Sequence, residues 1–236
     1  MGISEDKIKK AFKQKTWNEI KASDSWQIFK VMAEFVEGFE KMASIGPCVS
    51  VFGSARTGPD NPYYHLAEEI AFQLTQSGYG VITGGGPGIM EAANKGAMRG
   101  DGISVGLNIM LPFEQGSNPY IDPDKLITFK HFFVRKVMFQ KYAQGFIVLP
   151  GGFGTFDEFF ESATLIQTGK IGKFPIVLVG SEFWDGLVGW IEKVVQEEQK
   201  NISPEDIDLF TVVDTAEEAV GVINKFYSKY LLSPNF

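Results

Sequence analysis

The run Pro150-Gly151-Gly152-Phe153-Gly154-Thr155-Phe156-Asp157-Glu158 sets a hydroxyl and two carboxylates directly behind a glycine bend. Glycines serve where a backbone turns sharply or a ligand comes close. A helix that starts at such a bend presents unpaired N–H groups and favours an anion, phosphate above all. Asp157 and Glu158 would repel that phosphate if aimed at it, so their targets lie beyond it. With the helix opening at Gly154 or Thr155, Glu158 sits about one turn in, within reach of a sugar that the phosphate carries. Taken alone, the bend also fits a structural turn whose first acids complement the helix dipole.

The elements that must hold these residues follow from pattern. Residues 146–149 are an apolar run leading into the bend, and the spacing after it is helical, giving strand, loop and helix. The same succession occurs twice upstream. Residues 47–52 are a buried-strand run ending in Gly53-Ser54-Ala55-Arg56 before a helix at 62–76, and residues 80–83 lead into Gly84-Gly85-Gly86-Pro87-Gly88 before a helix of small residues. Further strands are expected at 103–109, 126–129, 175–179 and 211–213, with helices at 134–142, 184–196 and 216–230. Near-continuous apolar strands alternating with helices predict an α/β fold, a Rossmann-like doubly wound parallel sheet flanked by helices. Right-handed crossovers bring the three glycine turns to one sheet edge, outside the carboxyl ends of the strands, where a ligand binds. One turn then cradles phosphate while Gly53, Ser54, Gly85 and Gly86 wall in base and sugar; the run 84–88 fits equally a strained turn that lets helix and strand pack closely. A long polar loop at 111–123 adds Glu114. Arg135 and Lys136 place two cations near a helix start, mildly against its dipole unless an anion or carboxylate faces them, with an ordinary solvated helix face as the alternative.

Residues 1–45 read as an N-terminal helical extension and 46–236 as the nucleotide-binding catalytic domain. In the extension Trp26, Phe29, Met32, Val36 and Phe39 recur at helical intervals behind a cap at Asp24 or Ser25. A formal net charge of -7 over 236 residues argues against a nucleic-acid-coating surface. Cys48 is the only cysteine, which leaves no disulfide or multi-thiolate site within the chain, and His65 and His131 are too far apart for a local zinc motif. No metal is expected. The start of the chain shows no secretory apolar core and no run approaches a membrane span, so the expected setting is the cytoplasm without a membrane partner. The turn after the first strand is not G-x-G-x-x-G, and no Gly-Lys-Ser/Thr closes a P-loop, which disfavours nicotinamide and nucleoside triphosphate chemistry.

Three motifs in order, Gly84-Gly85-Gly86-Pro87-Gly88-Ile89-Met90-Glu91, Arg135-Lys136, and the P-G-G-x-G-T-x-x-E pattern ending at Glu158, resemble the Lonely Guy (LOG) family. Its members are cytokinin-activating phosphoribohydrolases long labelled lysine decarboxylases. The resemblance covers roughly residues 46–215. It implies hydrolysis of the N-glycosidic bond of a purine nucleoside 5′-monophosphate, N6-modified or not, to free base and ribose 5-phosphate. It implies no cofactor and a homodimer or larger homo-oligomer. Arg135 and Glu158 match the family's catalytic pair, and Gly151, Gly152, Gly154 and Thr155 its phosphate loop, with Lys136 beside them as a substrate contact. Arg135 would bridge phosphate or sugar and hold Glu158 ionised. The proton for the departing base stays open between Asp157, Glu114 and solvent. Two rival readings are a general nucleotide 5′-monophosphate nucleosidase of salvage and a non-catalytic nucleotide or molybdenum-cofactor carrier. The glutamate favours an enzyme. The N-terminal extension of about 45 residues departs from the shorter plant-type members.

Overall fold

Strand β1 (Cys48–Phe52) lies at the centre of a seven-stranded sheet, and the chain winds outward from it twice. The computed structural model describes residues 17–111, 116–230 and 232–236, with the backbone alone for residues 17–25. From β1 the chain moves through β2 (Gly80–Thr83), β3 (Ser104–Ile109) and β4 (Leu126–Phe129) to one edge. It then returns to lay β5 (Ala143–Val148) beside β1 and continues through β6 (Ile176–Val179) and β7 (Phe210–Val213) to the other. The order is β4-β3-β2-β1-β5-β6-β7 with every pairing parallel, as the apolar runs predict. Strand order reverses between β1 and β5, and that switch point leaves a crevice at their carboxyl ends.

Residue alternation gives the two faces different cores. One side of the sheet is aliphatic: Val49, Val51, Val81, Ile147 and Val177 pack under helices α2 (Pro62–Gln76), α3 (Ile89–Arg99) and α7 (Ala216–Tyr227). Small residues bring α2 and α3 together, since a Cβ at Gly96 would lie 2.1 Å from the Glu68 carbonyl oxygen. The opposite side is aromatic. Phe52 meets Phe139 and Phe146 edge to face at 4.9 and 4.8 Å, and Phe159 meets Trp184 at 6.0 Å. These rings come from the sheet and from α4 (Phe132–Tyr142), α5 (Phe153–Gln167) and α6 (Ser181–Trp190). Each fully buried ring or branched side chain contributes about 1.5–3 kcal/mol. Burial on both faces fixes the register that carries the strand ends to the crevice.

Two helices differ from expectation in more than their end residues. Helix α1 (Trp17–Ala43) runs straight through Asp24 and Ser25, where a cap is predicted, because interior Asp and Ser cost only tenths of a kcal/mol between good helix formers such as Glu19, Ala22 and Lys30. The helix expected at 184–196 is α6 followed by a π-helical stretch, Ile191–Glu198. The chain divides into two units, Met1–Glu37 and Gly38–Phe236, with the boundary inside α1. No helix among the described residues is long and apolar enough to cross a membrane.

Candidate functional site

The three glycine turns meet at the switch point and are tied by backbone. Ser54 N–H donates to the Pro150 carbonyl at 3.0 Å, and Ile89 N–H donates to the Ser54 carbonyl at 3.1 Å. Between them opens a cleft of about 830 Å³, lined by residues of all three turns together with Arg135, Thr155, Asp157 and Glu158.

The turns divide their work, and the helix termini show how. At α3 the first N–H is already spent on Ser54, so this terminus is turned to scaffolding. Gly88 adopts φ +72 and a Cβ there would lie 2.4 Å from the Ser54 carbonyl oxygen. Behind it a buried polar network pins the turn. Thr83 Oγ1 donates to Asn94 Oδ1 at 2.6 Å and accepts from Gly85 N–H at 2.9 Å. Asn118 Nδ2 donates to the Gly86 carbonyl at 3.0 Å and to Asn94 Oδ1 at 2.9 Å. Gly88→Ala is therefore expected to lower the unfolding free energy by about 2–3 kcal/mol, seen as a lower urea midpoint. Gly86→Ala should cost less, because its Cβ meets only the mobile Met90 Cε end.

Helix α5 opens at Phe153 behind Gly152, ahead of the Gly154 or Thr155 start expected from the sequence. As at α3, no side chain accepts from its first turn, but among the described residues none of its first N–H groups is spent on another turn. Thr155 and Phe156 N–H groups both donate to the Gly152 carbonyl, at 2.9 and 3.1 Å. A Cβ at Gly152 or Gly154 would meet nothing, whereas one at Gly151 would strike Thr155 Oγ1. Gly151 thus seats the threonine while Gly152 and Gly154 leave room on the cleft side.

One turn into α5 stands Glu158, only 5% exposed, and its Oε2 has no hydrogen-bond partner among the described residues. Burial pushes its carboxyl up to about 7, against the pull of Lys136 and Arg135 and with smaller pushes from Glu161 and Asp157. The two cations favour the ionised form, as expected of Arg135, and desolvation outweighs them. Arg135 reaches the cleft from α4 with its guanidinium 5.4 Å from the Phe139 ring centre and 5.9 Å from that of Phe132. It lies over Gly84, where a Cβ would sit 3.1 Å from its Nη2.

Of the residues expected to bind substrate, Gly53, Ser54, Gly151, Gly152, Gly154 and Thr155 line the cleft with Arg135 and Glu158. Gly85 and Gly86 do not; they are buried in the scaffold behind it. Lys136 does not either, because its Nζ is paired at 2.9 Å with both Asp157 and Glu161. Glu114 falls outside the described residues. The wall also includes Arg56, Tyr63, Phe132, Phe153 and Phe183, which the sequence reading passed over as binding residues. Arg56 and Phe153 were visible inside the turns themselves. Phe183 follows β6, and only the strand order brings it to the crevice.

A family model described as possible lysine decarboxylase matches residues 90–223. A cytokinin riboside 5′-monophosphate phosphoribohydrolase of Mycobacterium tuberculosis is 32% identical over 158 residues, covering 66% of this chain and 82% of that protein. The enzyme of the same name designated LOG2 in Arabidopsis thaliana is 30% identical over 153 residues, 63% of this chain and 70% of its own. Among solved structures, the molybdenum cofactor binding protein of Rippkaea orientalis superposes with a TM-score of 0.57 at 17% identity, over 76% of this chain and 96% of that one. At that identity the likeness shows the fold alone.

Proposed function

The chain belongs to the Lonely Guy family of phosphoribohydrolases, and from that premise we propose that it hydrolyses the N-glycosidic bond of a purine nucleoside 5′-monophosphate, releasing free base and ribose 5-phosphate. The observation that carries the reading is the pairing of a helix terminus without a side-chain cap with a buried carboxyl one turn deeper in the same cleft, whose Oε2 has no hydrogen-bond partner among the described residues. The N–H groups of Phe153 and Gly154, with the Thr155 hydroxyl, would receive the 5′-phosphate. That anchor turns remote binding into orientation at the sugar. Glu158 then faces C1′. As the C1′–N bond breaks, its electron pair leaves on the base and positive charge gathers on the ribosyl ring, which an ionised carboxylate stabilises. Water adds to C1′ and gives a proton to Glu158, and a proton from the open side of the cleft reaches the departing nitrogen. Arg135, stacked and unable to lose its charge, balances the phosphate or sugar oxygens and favours the ionised form of Glu158.

A carrier that only holds a nucleotide or a molybdenum cofactor has no use for Glu158. Burying a carboxylate costs about 3 kcal/mol when, as here, desolvation outweighs the nearby cations, and a binding site gains nothing from that expense. Decarboxylation through a lysine Schiff base also fits poorly, since the two lysines nearest the turns are engaged: Lys95 with Glu68 at 3.0 Å and Lys136 with its two acids. Phe132, Phe153 and Phe183 offer the base apolar ring surfaces without a hydrogen-bond code, so a broader nucleotide 5′-monophosphate nucleosidase is the neighbouring reading. The proposal includes a cytoplasmic homodimer or larger homo-oligomer, in keeping with the family resemblance.

The test is a product assay over AMP, isopentenyl-AMP, GMP and CMP. Adenine or its N6-modified form should appear in equal amount with ribose 5-phosphate. Comparable rates on CMP would replace the purine reading with the broad nucleosidase, and no free base from any of the four would remove hydrolysis altogether.

A further inference from the structure

Arg135 and Lys136 are neighbours in sequence, yet only one of them reaches the cleft. Successive residues on a helix point about 100° apart, so Arg135 enters the cleft from α4 while Lys136 turns toward α5. Its ammonium lies 2.9 Å from Asp157 and 2.9 Å from Glu161, and the Lys136 side chain is 16% exposed. Those two acids are one helical turn apart and straddle Glu158. One turn further along α4, Gln140 continues the seam: its Nε2 donates to Ser162 Oγ at 2.8 Å, and Ser162 Oγ donates to the Glu158 carbonyl at 2.8 Å.

We propose that Lys136 is a positioning residue, a clamp that locks the acids flanking Glu158 to α4 and so sets the place and electrostatic surroundings of that carboxylate without touching substrate. The inference rests on the phosphoribohydrolase reading for its catalytic consequence, but its structural core does not. Four charged groups face Glu158: Lys136 and Arg135 from α4, Glu161 and Asp157 from its own helix. Lys136 exerts the stronger attraction of the two cations, and Arg135 cannot replace it because it is committed to the cleft wall. Burial pulls the Lys136 ammonium down, and its pairing with Asp157 and Glu161 more than restores it, so it stays charged wherever Glu158 titrates. An exposed ion pair between two helices stabilises the fold by a fraction of a kcal/mol, whereas the Lys136 charge also bears on the carboxyl of Glu158 beside it.

The deciding measurement is the titration of Glu158 itself, by carbon NMR of protein labelled at glutamate Cδ, with the resonance assigned by its loss in Glu158→Gln. The wild-type midpoint should fall at about 7. In Lys136→Met, which keeps the length of the stem, it should rise by about one pH unit. Lys136→Gln should do the same should the Met variant not fold. Lys136→Arg should stay near wild type. Gln140→Leu cuts the uncharged part of the seam and should lower thermal stability without moving the midpoint. If the charge-removing Lys136 variants titrate as wild type does, the clamp is only packing and the proposal is overturned. Kinetics provide the second arm: the acid limb of kcat/KM should move up with the NMR midpoint while KM for AMP at pH 8 changes less than about threefold. A large rise in KM with a fixed limb would make Lys136 a substrate contact instead. Wild-type protein that cleaves no nucleotide would sink the hydrolase reading, while the NMR result would still decide the role of Lys136.

Discussion

On the phosphoribohydrolase reading, Glu158→Gln is expected to lose AMP hydrolysis by roughly a hundred- to ten-thousand-fold, the range for removal of a positioned acid–base or charge-stabilising group, and at pH 8 it should be more thermostable than the wild type. Both effects come from one cause. The native carboxyl titrates at about 7, well above its ordinary 4.5, chiefly because burial opposes its charge. Between those values the unfolded chain binds fewer protons at this position than the folded one, so stability falls as pH rises. The loss is complete above pH 7 and amounts to about 3 kcal/mol. Glutamine carries no charge to desolvate, although its amide inherits an unpartnered buried site that costs about 1–3 kcal/mol. The net gain at pH 8 is on the order of 1 kcal/mol, or about 2–4 °C in a chain of this size. At pH 5 the wild-type carboxyl is protonated and the advantage disappears. Melting curves of both proteins at pH 5 and pH 8 check this, and an identical difference at the two values would mean that Glu158 is not held as the structure indicates. In the wild type the same titration makes activity depend on the ionised form. The value of kcat/KM should rise from pH 6 toward 8 with a limb near 7, and a limb near 4.5 would show that substrate meets a solvated carboxylate.

That limb could not have been foreseen from the motif, and the reason marks how far a linear reading extends. The seven strands were legible because each is an apolar run between turn residues, and parallel pairing followed from their near-continuous hydrophobicity. The bend and the place of Glu158 were legible too, since they depend on residues within one helical turn. Its protonation depends on what packs over it. Lys136 and Gln140 lie about twenty residues upstream, and only the crossing of α4 over α5 brings them there. The glycines of the second turn show the complementary limit. Gly85 and Gly86 look like ligand contacts in a string of glycines, but Asn118 and Thr83 fasten their backbone from behind, and nothing in the run itself records those partners. A glycine spared for a ligand and one spared for a neighbouring chain segment are spelled alike.

Gly152→Asp separates those two uses of glycine at the turn that matters most. Gly152 caps α5 with φ -100 and ψ -159, an extended conformation that any residue adopts, and its Cβ would meet no atom within 4 Å. An aspartate there is a favoured N-cap and supplies the side-chain acceptor that α5 lacks, so stability should hold or improve by a few tenths of a kcal/mol. Binding should suffer. If the 5′-phosphate rests on the first turn of α5, the new carboxylate stands roughly 4 Å from it, and two like charges at that distance near a protein surface repel by about 4 kcal/mol. KM for AMP should rise by about a thousandfold at low ionic strength, and salt should recover part of the loss. Gly152→Asn fills the same space and caps the helix as well, yet carries no charge, so its KM should rise far less. The informative quantity is the ratio between the two variants, because size, cap and backbone are shared. Equal KM values for Asp and Asn would put the phosphate elsewhere in the cleft. It would then lie on the side of Arg56, and the helix terminus would be as structural as that of α3.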